Sequence, residues 1–491
     1  MRRGAATAGS REEAEIDVFS GDRGGALRSR LRLGRGPARP RAMTLRGRAT
    51  LGVLAGVVVL GVGAITTRVA GSPALVPGLS AVSAAPRPLG PPDAPLEILR
   101  RLPSSRDILE LAVSPSAGRD RAGIDGAGGG RVRFVEIRPA PSTRVDLPGP
   151  LRVEYTFDAA LTEEIFSVLK RARVRRGHVI VLEPRSGRVL AYASTNAEAF
   201  PPQRAYPAAS LVKIVTAAAA LHHAPDEARR PCIYTGNPYR LRRSQLKPPR
   251  RGHQVSLERA LATSNNHCFA RLAVNAVGSV ALLDAIARFG LLESPALGHD
   301  AGRVSPVEDD YDLGKLGCGL AGCRITPLHA AGLAATLATG ERPEPWWVQS
   351  VVDARGRSLK LPRRPRPARV MTRKLADELR AMMVRTTTQG TAKSAFRDRR
   401  GRPVLGDVKV AGKTGNISGT DPRGRYEWFI GAAPADRPTV AVAVVQLHDD
   451  LWWRNSSQIA SEVLKRIFCE KSGCSAELAS RYTAPAAVSA L

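Results

Sequence analysis

The chain has 491 residues, 43% of them hydrophobic and 24% charged, enough for one large or two ordinary domains with a sizeable core. Its formal net charge is +30, yet no basic platform studded with aromatic side chains is evident, which excludes a nucleic-acid partner as the reading of that charge. An arginine-biased solvated surface accounts for it, and such a surface also draws anionic lipid headgroups or acidic polymer.

Residues 1–48 form a basic tail with 12 Arg against 5 acidic residues. Residues 49–67 are 19 consecutive uncharged positions rich in Val, Leu, Gly and Ala, long enough to cross a bilayer as a helix. The positive-inside rule then keeps the tail in the cytoplasm and places everything after about Gly71 outside it. A cleaved signal peptide is the rival expectation, with translation from Met43 and small residues at Ala81 to Ala85 as the cleavage site.

Residues 72–150 carry 13 Pro and 9 Gly in 79 positions, the texture of a linker. Two segments in it are candidates for order: a helix over Leu96–Val113 broken at Pro103, and an alternating strand over Arg131–Arg138. No repeat of the length that builds solenoids is visible.

A globular domain is expected over 151–475, followed by a tail over 476–491. Leu161–Arg171 reads as an amphipathic helix, and His178–Glu183 and Arg188–Ala193 as a hairpin joined at Gly187. Helices follow over Leu211–His222, Ser256–Ala273 and Ala281–Phe289. Three strands come late, at Val408–Lys413, Trp428–Ala433 and Thr439–Leu447, before a closing amphipathic helix over Asn455–Phe468. Two strands early and three late predict an α/β (α+β) fold: a five-stranded antiparallel sheet flanked by helices, carrying an all-helical subdomain.

Six cysteines make an even count for an oxidising compartment. Cys318 with Cys323 and Cys469 with Cys474 are expected as short-loop disulfides, leaving Cys232 for Cys268. No His or second Cys falls at the short spacing zinc sites use, so no metal is expected.

Three short motifs carry the chemistry: Ser210-Leu-Val-Lys213, Ser264-Asn-Asn266 and Lys413-Thr414-Gly415. Each has a competing copy, at Ser167–Lys170, Ser194–Asn196 and Lys471–Gly473, but only the chosen set has the right order and context. With 63 Arg against 11 Lys, lysine at both required positions is informative, because arginine does not shed a proton to act as a base. Residues three apart on a helix share a face, so Ser210 and Lys213 bring hydroxyl and amine together. Burial and a nearby charge from Lys413 would favour the neutral amine that activates the serine. Ser264 can relay a proton to the leaving group, and Asn266 can bind substrate amides. Lys413 and Thr414 can hold a substrate carboxylate, while Gly415 admits a substrate backbone laid alongside as an extra strand. The backbone N–H groups of Ser210 and Asn416 would make the oxyanion hole. The set needs no cofactor.

The segments Val179–Ser194, Tyr206–Lys213 and Ala260–Phe269 resemble the penicillin-binding protein transpeptidase domain, within the D,D-peptidase and serine β-lactamase superfamily. Ile325–Ala331, Gly390–Ala392 and Trp428–Gly431 follow in that family's order, so the resemblance runs from about Leu151 to Phe468. It implies a D,D-peptidase/β-lactamase-like fold and a membrane-tethered, periplasmic peptidoglycan transpeptidase. Ser210 would attack the D-Ala-D-Ala bond of a stem peptide, and an amine of a neighbouring strand would resolve the ester. β-Lactams would acylate the same serine, and other cell-wall synthesis proteins would be its partners. D,D-carboxypeptidase, serine β-lactamase and a penicillin-sensing module without turnover are the alternatives. Asn416 departs from the Thr or Ser usual after Lys-Thr-Gly.

Overall fold

A computed structural model of the protein describes residues 135–137, 151–352, 355–358, 361, 363–448 and 453–483. The basic tail 1–48, the apolar stretch 49–67 and the segment Leu96–Val113 lie outside the described residues. Of the Pro/Gly-rich segment, Val135–Ile137 is described, and it forms a strand antiparallel to Leu151–Tyr155, which also pairs with Val348–Val352.

The centre is a five-stranded antiparallel sheet of β1 (Gly177–Leu182), β2 (Val189–Ser194), β3 (Ala411–Thr420), β4 (Arg423–Ala433) and β5 (Val440–His448), in the order β3-β4-β5-β1-β2. The strands from the two ends of the domain meet where β5 pairs with β1, placing Val444 opposite Val179. The run Gly177–Leu182 is buried at every position, because both faces of the sheet are covered. Val179, Val181 and Val444 face one apolar core, whereas Ile180, Leu182 and Val445 face the other. This is the two-residue period of a strand, with apolar side chains on both sides.

Helices α1 (Ala159–Arg171) and α8 (Ser456–Phe468) pack together and supply Leu161, Ile165, Val463 and Ile467 to the first core. The second core is filled from α2 (Val212–His223), α6 (Pro327–Thr339) and α7 (Arg373–Thr388). Asn455 caps α8 in a reciprocal box with Gln458, which fixes where that helix begins.

Between β2 and β3 the insertion also holds α3 (Leu257–Ala262), α4 (Asn266–Arg271) and α5 (Asp310–Cys318). The insertion expected to be all-helical carries short β pairs as well, Cys232–Tyr234 with His253–Val255 being one. The single helix predicted over Ser256–Ala273 is broken at residues 263–265, and its last turn widens into a π-helix over Leu272–Val277. The third-last strand starts at Ala411 rather than Val408 and runs on to Thr420. Residues 476–483, expected as tail, form a short helical turn whose Arg481 binds Glu470 and the Ile467 carbonyl. Among the described residues no single helix is long and apolar enough to cross a membrane.

Disulfides join Cys232 to Cys268 and Cys469 to Cys474. Cys318 and Cys323 do not form the third. Cys318 ends α5 and Cys323 opens the strand Cys323–Ile325, so each side chain is directed by its own element into buried packing rather than by the loop between them.

Three buried histidines are held neutral by this packing. His329 Nδ1 accepts from the Thr326 backbone N–H while Nε2 meets the Glu293 carbonyl, so the neutral ring is fully used, and burial lowers its pKa to about 4. Burial likewise lowers His299 to about 4 and His178, stacked on Phe200, to about 3. Neither ring nitrogen of His178 has a hydrogen bond of good geometry, the Phe200 backbone being too poorly placed. In the unfolded chain these rings titrate near 6.5, so protons bind the unfolded state first as pH falls. Stability is therefore full above about pH 6.5 and declines from there toward pH 4. We expect His178→Phe to reduce that decline by about one proton, or about 1.4 kcal/mol per pH unit, in urea unfolding followed by circular dichroism. An unchanged slope would show that His178 is not held neutral.

Candidate functional site

The site is built where α2 begins. Ser210 lies in a 3-10 turn, Ala209–Leu211, that runs directly into α2, and its position in the first turn leaves its N–H without an acceptor inside the helix. Ala209 before it has φ of 50°, a left-handed conformation that costs about 1–3 kcal/mol for a residue with a Cβ. That turn aims Ser210 out of the core, where it is half-buried, while Lys213 one turn later is fully buried.

Lys213 Nζ has three oxygen partners: Ser210 Oγ at 2.8 Å, Asn266 Oδ1 at 2.7 Å and the Cys318 carbonyl at 2.5 Å. Phe269 covers it, with the ring centroid 5.8 Å away. Burial lowers the Lys213 pKa from its ordinary range to about 8, against a smaller opposing effect of the Cys318 thiol. Two of the three partners are carbonyl-type oxygens that only accept, so a neutral amine gives both its N–H groups to them. Its lone pair is left for the Ser210 hydroxyl.

Ser264 and Asn266 owe their places to the break between α3 and α4. Ser264 adopts φ of 57°, and Asn265 caps α4 by accepting from the Cys268 N–H. Asn266 then opens α4 with its Nδ2 on the Tyr239 carbonyl at 2.6 Å, which fixes the amide with Oδ1 toward Lys213. The Cys232–Cys268 disulfide ties this helix to the strand Cys232–Tyr234.

Lys413 arrives on β3, an edge strand of the sheet. Its Nζ lies 3.0 Å from Ser264 Oγ and 2.7 Å from the Thr414 carbonyl. Burial holds the Lys413 pKa well below its ordinary range, and the Lys213 charge pushes it further down. Burial is thus the first cause for both lysines, and the repulsion between the two ammonium groups, which acts on both, adds to it in the direction the sequence led one to expect. Thr414 Oγ1 meets Thr391 Oγ1 at 2.6 Å. A Cβ built on Gly415 would stand 3.2 Å from that of Ala209, so glycine lets β3 approach the Ser210 turn. The Asn416 side chain is occupied by Arg425, whose Nε donates to Oδ1 at 2.6 Å.

All eight residues singled out from the sequence thus lie on three neighbouring segments, and the competing copies lie elsewhere: Ser167 on α1, Ser194 on β2, Lys471 in the turn closed by Cys469 and Cys474. Sequence reasoning missed the Cys318 and Tyr239 carbonyls, which carry no residue signature, and Thr391, for which the pair Gly390-Thr391 was the available signal. It also missed Gly319. That residue has φ of 72°, and a Cβ on it would fall 2.0 Å from the Ala209 carbonyl oxygen.

The family model of the penicillin-binding protein transpeptidase domain matches residues 177–468. The chain belongs to the penicillin-binding protein transpeptidase family. Peptidoglycan D,D-transpeptidase PbpA of Mycobacterium tuberculosis is 29% identical over 313 residues, covering 55% of this chain and 61% of the relative. The protein of the same name from Mycolicibacterium smegmatis is 28% identical over 311 residues with the same coverage. The chain thus spans about three fifths of the length of the curated relatives it matches. The crystal structure of PBPA from M. tuberculosis superposes with a TM-score of 0.53 at 26% identity, over 64% of this chain and 81% of that one. The penicillin G acyl-enzyme complex of penicillin-binding protein A from that organism gives a TM-score of 0.51 at 25% identity, over 64% and 80%. The five-stranded fold read from the sequence is the fold of this family.

Gly319→Val tests the packing beneath Ser210. The added carbons meet the Ala209 carbonyl, and a misplacement of about 1 Å at a reacting group is worth about 10²-fold. We expect labelling by a fluorescent penicillin to slow by about that factor in the folded variant, whereas an unchanged rate would show that the turn does not depend on this contact.

Proposed function

We propose that this chain is a peptidoglycan D,D-transpeptidase working through an ester on Ser210. The observation that carries the reading is the bonding of Lys213 Nζ, with two acceptor-only oxygens and the Ser210 hydroxyl around one buried amine. The neutral amine takes the Ser210 proton as Oγ attacks the carbonyl of the D-Ala-D-Ala bond. The Ser210 and Asn416 backbone N–H groups face the developing oxyanion. Ser264, next to Lys413, passes a proton to the departing D-Ala amine, and Thr414 with Lys413 holds the substrate carboxylate. An amine of a second stem peptide then attacks the ester carbonyl, and Ser210 recovers its proton. β-Lactams enter the same first step and remain on the serine.

The chain is further proposed to be held in the membrane by residues 49–67, with this domain on the outer, periplasmic face. The uncharged stretch and the basic tail before it support that orientation. So do the Cys232–Cys268 and Cys469–Cys474 disulfides, which persist in oxidising compartments.

Incubation of the purified chain with a stem peptide and an amine acceptor separates the possibilities. We expect cross-linked product; free acid alone would indicate a carboxypeptidase, and neither product a sensor without turnover. Ser210→Ala abolishes penicillin labelling on this account. Lys213→Arg keeps the charge but supplies no base, and is expected to slow acylation by about 10²–10⁴-fold. Near-normal acylation in the arginine variant would remove Lys213 from its role.

A further inference from the structure

Asn416 follows Lys413-Thr414-Gly415 on β3, where Thr or Ser is usual, and the chemistry above uses its backbone N–H alone. Its side chain has a partner of its own: Arg425 Nε donates to Asn416 Oδ1 at 2.6 Å. The register of β3 and β4 sets up the meeting. Arg425 stands opposite Ser418, so Asn416 is its diagonal neighbour and within reach of a long side chain. Side chains alternate along a strand, so Thr414, Asn416, Ser418 and Arg425 share one face toward the β3 edge. That face borders the cleft. The Thr414 hydroxyl meets that of Thr391 at 2.6 Å, and the Thr391 N–H donates to the carbonyl of Ala262, two residues before Ser264.

A guanidinium in that place changes the charge available to a ligand. The two lysines of the cleft are buried, which lowers Lys213 to about 8 and Lys413 well below its ordinary range, so neither is a dependable cation. Arg425 is half-buried, and an arginine keeps its proton under such conditions. Acidic side chains nearby have their own partners. Glu427, two residues on along β4, accepts from the Ser456 N–H and meets His448 Nε2, both at 3.1 Å, which draws its carboxylate to the start of α8. Asp421, at the turn into β4, pairs with Arg204 at 2.9 Å and lies 3.9 Å from Arg324. The bond to Asn416 orients the guanidinium through Nε, and the Nη atoms carry four further N–H donors.

We propose that Arg425, positioned by Asn416, is a substrate-binding residue that takes the terminal carboxylate of the acyl donor together with Thr414. This rests on reading Ser210 as the acylated serine, and it names the charge that recognises the leaving end of the peptide. A donor whose scissile carbonyl lies at the Asn416 N–H carries its terminal carboxylate one residue farther on, about 3.8 Å of chain, which keeps it within the row of Thr414, Asn416 and Arg425. Guanidinium and carboxylate meet in a two-pronged, charge-assisted pair, stronger than the bond a neutral hydroxyl offers. Asn416 suits this arrangement better than Thr or Ser. Its amide oxygen only accepts, so it holds the Nε–H in one direction, and its side chain is long enough to reach toward the neighbouring strand.

The test uses the full chain, its Arg425→Gln and Arg425→Lys variants, and benzylpenicillin beside its methyl ester, which lacks the free carboxylate. Acylation by both compounds is followed in each protein, so the ester controls for any loss of fold. The wild type is expected to favour the acid. Arg425→Gln should slow acylation by the acid about 10–100-fold, the range of a hydrogen bond to a charged group, and change the rate with the ester by less than about twofold. Arg425→Lys keeps a charge without the fork and should fall between the two. Equal slowing of acid and ester would make Arg425 a support for β3 and overturn the proposal, as would an unchanged rate with the acid. A second arm is independent of acylation. In the Ser210→Ala background, fluorescence anisotropy compares a labelled peptide ending in D-Ala-D-Ala with its C-terminal amide, and the free acid should bind about tenfold more tightly until Arg425→Gln is added. Failure of penicillin to acylate the wild type would refute the Ser210 reading. The carboxylate role would still stand on a peptide preference lost with Arg425, and a preference that survives Arg425→Gln, or none at all, would overturn it.

Discussion

The structure turns on burying the amine of Lys213 beneath a serine that has to stay accessible. An unpaired charge in such a place is expensive, and the relief is either proton loss or a full set of hydrogen-bond partners. The fold supplies both. Burial brings the Lys213 pKa to about 8, and Asn266 and the Cys318 carbonyl take the hydrogens of the neutral form. Each partner belongs to a different element. Ser210 and Lys213 come from the start of α2, Asn266 from the first residue of α4, and Cys318 from the last residue of α5. The packing of those three helices is therefore what sets the state of one nitrogen.

The second lysine extends the same constraint to the sheet. Lys413 is fully buried on an edge strand and bonds Ser264, so the break between α3 and α4 and the register of β3 are read against each other at one oxygen. Two of the three non-glycine residues with positive φ among the described residues, Ala209 and Ser264, sit on either side of this arrangement. Strain of that kind persists where surrounding contacts over-determine the backbone. Here the contacts are the Gly319 approach to Ala209 and the Asn265 cap on α4.

What was legible in the sequence follows from how local each feature is. Ser210 and Lys213 were readable because helical spacing alone brings them together, and the central strands were readable because residues such as Val179–Leu182 form unbroken apolar runs. The break at Ser264 was passed over: residues 263–267 read Thr-Ser-Asn-Asn-His, a polar run rich in cap-favouring residues, but helical apolar spacing resumes at Cys268 and Phe269, and the left-handed turn itself is chosen by tertiary packing. Pairing Cys318 with Cys323 by proximity in sequence failed because two separate elements direct those side chains. The Cys318 carbonyl on Lys213 had no signal at all, because any residue offers a carbonyl.

The most direct measurement is the protonation of Lys213 itself. With 11 lysines in the chain, incorporation of ε-¹³C lysine gives a tractable spectrum, and Lys213→Arg identifies the resonance by its loss. The account predicts that this resonance titrates near pH 8, the value set by burial, in the uncomplexed protein. A Lys213 resonance that titrates near 10.4, as a solvated lysine does, would contradict it.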